Sequence, residues 1–348
     1  MQKEGMLSVY KHLLKMTDST GILQFSNKSE PLIESGYTVD DNARALIVAA
    51  GMEEIERERL LLTYTRFLKD AQSTDGIWHN WKIKEVYLPD INSEDSIGRG
   101  MLAASFAANC GVQKAEEMAK GVLKRALPEA LKVHSPRATA YVLLGLIKLA
   151  ISYKNKRIFS NAKQMAQRLI NLYETNCCRD WHWFEDRLTY CNALLPHSLF
   201  GYYAITGDIK ALRVATDTLN FLSESLFQKG YLNIVGNRGW WKKQSFIPPF
   251  DQQPVDAASI ILACLQAFIA TGDRQFISRA QLAYQWYWGN NINKTPLFNE
   301  QTQGCHDALV PDGVNLNQGA EAVVSFLMAH QVLNNVLKKH KHMLVPAV

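Results

Sequence analysis

The chain has 348 residues, 47% of them hydrophobic and 20% charged, with a formal net charge of +5. That balance allows a large buried core and excludes a disordered chain. The basic residues are scattered apart from Lys338-Lys-His-Lys-His342, which reads as a solvated helix end, so nucleic acid is not an expected partner.

In chain order the hydrophobic periodicity predicts twelve helices, over 5–16, 38–51, 52–72, 94–109, 112–126, 135–153, 157–175, 190–206, 209–228, 254–271, 274–289 and 317–338. Two kinds alternate. One is amphipathic and charged, as in the run from Glu53 to Leu68, and the other is apolar nearly all round, as in the run from Ala138 to Ala150. The first kind belongs outside and the second inside. Inner helices lead to outer ones through short turns at Gly51-Met52, Cys110-Gly111, Thr206-Gly-Asp208 and Thr271-Gly-Asp273, where Gly ends one helix and Asp starts the next. Most outer-to-inner links are long: 17–37, 73–93, 176–189, 229–253 and 290–316, with only 127–134 short. Residues opening the inner helices (Asp41, Asp95, Arg137, His197, Asp256 and Glu321) recur at intervals of 42 to 65 residues. The expected fold is all-α: a single toroidal domain, residues 1–348, of six helical hairpins in an inner and an outer ring.

Such a ring presents all inner-helix N-termini on the long-loop side, where free amides attract carboxylates or anions. Carboxylates do gather there: Asp40 and Asp41 with Arg44, Glu94 and Asp95 with Arg99, Asp186, Asp251 and Asp256 around Gln252 and Gln253, and Glu321 after Gln318. Each cluster has a structural reading too, since an acid beside a helix start caps it or stabilises its dipole. Six of the eight Trp lie in three of these loops, among them Trp81, Trp181, Trp183 and Trp240, and suggest platforms for sugar stacking. His182, His197 and His306 are candidate acid–base groups, and Asn192 a hydroxyl ligand; His197 reads more simply as a core histidine. No zinc-ligand spacing and no GxGxxG, P-loop or GxSxG motif occurs, so neither a metal nor a cofactor is expected. Six cysteines without a CxxC pair, and no secretory leader in Met1–Leu7, point to a reducing, cytoplasmic compartment. No apolar run is expected to reach the roughly 18 residues that cross a bilayer.

With these features the chain resembles the six-hairpin glycosidase superfamily, the (α/α)6 toroids that include unsaturated glucuronyl hydrolases. More closely, Thr17-Asp-Ser-Thr-Gly-Ile-Leu-Gln24, Gly36-Tyr-Thr-Val-Asp-Asp-Asn-Ala-Arg44, Trp183-Phe-Glu-Asp186 and Asn317-Gln-Gly-Ala-Glu321 resemble a bacterial group of toroidal proteins found attached to, or beside, glycosyltransferases. The group's pattern has Asp where this chain has Cys191. The resemblance implies a glycoside hydrolase with an Asp/Glu acid–base pair, inverting by preference, a sugar or oligosaccharide as substrate and a glycosyltransferase as partner. Asp41 and Asp95 lead as catalytic candidates, followed by Asp186 and Asp256. Asp40, Arg44, Trp81, Glu94, Arg99, Trp181, His182, Trp183, Asn192, Trp240, Asp251, Gln252, Gln253, His306, Gln318 and Glu321 are the expected substrate ligands. A non-catalytic glycan-binding module and a sugar epimerase, the latter with two histidines facing across the cavity, are the alternatives.

Overall fold

A computed structural model describes residues 9–53, 55–88 and 92–340. Its α-helices are α1 (Lys11–Met16), α2 (Val39–Ala50), α3 (Arg57–Asp70), α4 (Glu94–Ala107), α5 (Gln113–Ala130), α6 (Pro136–Tyr153), α7 (Lys156–Asn176), α8 (Leu194–Thr206), α9 (Ile209–Leu226), α10 (Pro254–Thr271), α11 (Arg274–Tyr284) and α12 (Ala320–Lys339). The even-numbered helices pack in sequence, α2 on α4, then α6, α8, α10 and α12, and α12 returns to α2. The first five continue through short links into odd-numbered helices on their outer side, and α1 packs on α12 to complete the sixth hairpin. The result is an (α/α)6 toroid. The start of the first expected helix and the end of the basic run at 338–342 lie outside the described residues.

The two kinds of sequence sort as the physics of burial requires. Along α7 only Ala162, Met165, Ala166, Leu169, Ile170 and Tyr173 are buried, a single face at spacings of three and four. In α10 thirteen of eighteen residues are buried, because this helix is enclosed by neighbours on every side. By length and composition α10 could cross a membrane, contrary to the expectation that no segment would; here it forms part of the inner ring.

At the turn side, α8 and α10 end on left-handed Gly207 and Gly272. Asp208 and Asp273 then start α9 and α11 by accepting the amides of Ala211 and Gln275. Inner helices on the other side are capped differently from expectation. Thr38, Ser93 and Ser135 accept the amides of Asp41, Ser96 and Ala138. Asp256 caps nothing, and α10 begins with Pro254 at its first position. Hydroxyl groups thus cap α2, α4 and α6, which leaves the first-turn carboxylates of α2 and α4 free for other contacts.

Short strands, absent from the expected elements, pin the long loops over the ring. Tyr37–Thr38, Trp81–Ile83 and Val86–Leu88 form a three-stranded antiparallel sheet that ties the loops before α2 and α4 together. Arg187–Leu188 pairs with Trp241–Lys242 and joins the loops before α8 and α10. Asp18 of the first motif organises its own turn, accepting the amides of Thr20 and Gly21 and, on its other oxygen, the Tyr37 hydroxyl at 2.5 Å.

Candidate functional site

The starts of α2, α4, α10 and α12, with the loops before α8 and α10, line a cavity of about 870 Å³ on the long-loop side. Helix α2 contributes Asp40, Asp41 and Arg44, α4 contributes Asp95 and Arg99, and α12 contributes Glu321. Two arginines organise these acids. Arg44 donates at 2.7 Å to Asp41 Oδ1 and at 2.7 Å to Glu321 Oε2. Arg99 lies 3.0 Å from Asp40 Oδ2 and 3.4 Å from Asp95 Oδ2. Both guanidinium groups are almost fully buried, and each spans two carboxylates contributed by different helices.

Each acid has a distinct setting. Burial raises Asp41 to about 6, reinforced by Glu321 and Asp40 and opposed by Arg44 and the Thr38 hydroxyl. For Asp40 burial acts in the same direction, but Arg99 and Arg44 outweigh it and hold the group below the usual carboxylate range. Asp95 accepts from Tyr190 Oη at 2.9 Å and from Ser135 Oγ at 3.3 Å. Asp307 lines the cavity, accepts the Gly319 amide at 2.6 Å and is raised to about 6 by burial, with Glu321 adding to it. Asp256 lies beneath the lining, accepts the Cys191 amide at 2.5 Å and is raised to about 7 by burial, the amide opposing the shift.

The Asp256 shift fixes a pH dependence of stability. A carboxyl with a folded value near 7 binds a proton that the unfolded chain has released above about pH 4. Its contribution is therefore fully present at low pH and is lost as pH rises from about 4 through about 7. Asp256→Asn is expected to flatten this fall by a few kcal/mol across that window. Chemical denaturation at pH 4.5, 6 and 8 checks it: parallel wild-type and variant curves would show that Asp256 does not titrate there.

Of the other expected ligands, Trp240, Asp251 and Gln253 line the cavity. Besides Asp256, ten expected site residues do not line it and are held by other contacts. Asp186 is exposed and forms a two-point pair with its neighbour Arg187 at 2.8 and 3.0 Å. Glu94 accepts the amides of His134 and Ser135 and so anchors the loop before α6. Gln252 is fully buried and bonds Asn233, Pro249 and the Trp286 indole. Asn192 accepts from Arg137 and the Thr189 amide, and Gln318 from the Thr302 hydroxyl. His306 donates to the Leu316 carbonyl, and His182 lies against Cys177 and Phe221.

Trp181 and Trp183 are core residues in an edge-to-face cluster with Phe184, Phe221 and Trp241, and Trp81 donates to the Ser35 carbonyl. Loop tryptophans mostly pack rather than form a platform, because tying long loops onto a helical ring itself needs large apolar side chains.

Gln24, Phe25, Asn80, Tyr190, Cys191, Asn237, Asp307 and Asn315 line the cavity without having been expected there. Some had a local cue: Gln24 closes the first motif and Phe25 follows it, and Asn80 sits between Trp78 and Trp81. Cys191 and Trp240 adopt left-handed φ values of 45° and 55°, a conformation non-glycine residues avoid and functional sites concentrate. Gly236 approaches the Phe250 backbone too closely for any Cβ, which sets Asn237 beside Asp251 in the wall. The Phe250–Asp251 peptide bond there is cis.

In architecture the chain is an (α/α)6 toroid of six helical hairpins with a cavity at its long-loop side. Among solved structures it is similar to a D-mannose isomerase, at 12% identity with a TM-score of 0.73 over 96% of this chain and 98% of that one. It is similar also to the cellobiose 2-epimerase of Bacillus thermoamylovorans, at 10% identity and a TM-score of 0.72 over 97% and 100%. A third is an inactive variant of an α-1,6-mannanase of Salegentibacter sp. HEL1_6, at 11% identity and a TM-score of 0.63 over 96% and 99%. In that variant two consecutive aspartates are replaced by asparagine, and it is in complex with α-1,6-mannotriose. At these identities the likeness is one of fold. No family model matches the chain. A search of curated proteins finds no match either.

Proposed function

We propose that the chain is a carbohydrate-active enzyme, a glycoside hydrolase that cleaves with inversion. The observation that carries this is the pair of arginine-bridged acid clusters on adjacent helix starts, Asp41 with Glu321 and Asp40 with Asp95, at one cavity. Inversion needs roughly 6.5–9.5 Å between the two carboxyls, room for a water beside the sugar, and acids carried by two neighbouring inner helices rather than by one suit that wider separation. Asp41, lifted to about 6, is the general acid and protonates the glycosidic oxygen. Asp95, aimed by Tyr190 and Ser135, takes a proton from water as that water attacks the anomeric carbon from the opposite face. The bond to the leaving sugar breaks, and the new hemiacetal has the opposite configuration. Arg44 and Arg99 position the two acids.

Two further observations support this reading. Consecutive aspartates are the residues replaced in the inactive mannanase, and Asp40-Asp41 is a consecutive pair at this cavity. No histidine is among the described residues that line it, whereas an epimerase of the expected kind needs two facing each other.

A screen of oligosaccharides for released reducing sugar tests the proposal. Turnover should fall as pH rises through about 6, because Asp41 must keep its proton. Glu321→Gln, which removes one of the charges that raise Asp41, should move that limb to lower pH. Binding without release from any oligosaccharide would instead favour a glycan-binding module.

A further inference from the structure

Charge at the cavity narrows the class of sugar it takes, given that it is a sugar site at all. Among the described residues, six carboxylates line it (Asp40, Asp41, Asp95, Asp251, Asp307 and Glu321), against two lining cations, Arg44 and Arg99; Asp251 is paired at 2.9 Å with Arg238 from outside the lining. Neither cation is free for a ligand. Arg44 is held between Asp41 and Glu321, and Arg99 between Asp40 and Asp95. Beyond the Asp251–Arg238 pair, five acids face two guanidinium groups, so the side chains leave a net negative charge, which the partial positive charge of the lining helix starts reduces. Among the described residues no second cation touches Asp307 or the half-exposed Glu321: Asp307 accepts a backbone amide, and Glu321 shares Arg44 with Asp41.

We propose that the cavity ranks glycans by charge: those bearing a protonated amine bind best, neutral ones next, and uronate, phosphate or sulfate esters worst. A sugar carboxylate entering here meets acids with no guanidinium to receive it, and desolvation adds to the repulsion. An ammonium group instead meets acceptors whose charge is not fully countered. Glu321 is the specificity-determining residue, because its carboxylate draws one arm of Arg44 away from the ligand.

The test is calorimetric or thermal-shift binding of matched glucosamine, glucose and glucuronate oligomers, with manno- and galacto-configured sets of the same three charges. At about 20 mM salt the amino and uronate members are expected to differ at least tenfold in affinity, and the gap should shrink at about 500 mM as the charges are screened. Glu321→Gln should narrow it by improving uronate binding, whereas a purely structural role for Glu321 would weaken all three charges alike. Uronate binding equal to or tighter than neutral binding overturns the ranking and leaves the hydrolase reading intact. If no member of any set binds, both fail.

Discussion

Asp41→Asn is expected to lower turnover of a cleavable oligosaccharide by about 10²–10⁴-fold, the usual contribution of a general acid, while leaving affinity within a few-fold of wild type. Asparagine keeps the shape of the side chain and its contact with Arg44, but it carries no transferable proton. Thr38 caps α2 through the backbone amide of residue 41, so the helix start survives the change. Substrates with a very acidic leaving group need little protonation, and the variant should recover most of its rate on them. That recovery separates loss of the acid from general damage. Unchanged turnover on ordinary oligosaccharides would remove Asp41 from the chemistry.

Arg44→Met should cost about 3–5 kcal/mol of stability and lower the melting temperature by about 4–7 °C at pH 8. The arginine is buried between two carboxylates, and methionine fills its volume but leaves Asp41 as an uncompensated buried charge. Protonation relieves that charge, so the loss should be much smaller near pH 5. Adding Asp41→Asn to Arg44→Met should restore a good part of the stability for the same reason. Thermal unfolding of the three variants at both pH values measures this. An equal loss at pH 5 and pH 8 would mean that packing, not charge, sets the role of Arg44.

The ring was legible in the sequence because burial leaves a periodic trace. Helices apolar all round alternate with helices of one apolar face, and Gly-Asp turns mark where one passes to the next. Asp40, Asp41, Asp95 and Glu321 were legible for a related reason: they occupy fixed positions in the first turns of helices whose N-termini must converge. Residues in the connecting loops were not. Asp307 reaches the cavity and Asp186 leaves it through loop paths fixed by two- and three-residue strands, too short to show a pattern. Trp183 and Trp240 look alike in sequence, yet one is core and the other wall. The left-handed backbone at Cys191 has no local cue, since a cysteine does not favour it. The sequence left capping open for the acids, because Thr38 and Ser93, which cap α2 and α4, stand only a few residues upstream of them.

The central claim is that two carboxylates on neighbouring helix starts cleave a glycosidic bond across an intervening water. Proton NMR of the first product released from an oligosaccharide, recorded before mutarotation, tests it most directly. An anomer inverted relative to the substrate is the result expected. A product that retains the substrate's configuration would contradict the arrangement, because it requires a carboxylate close enough to attack the sugar itself.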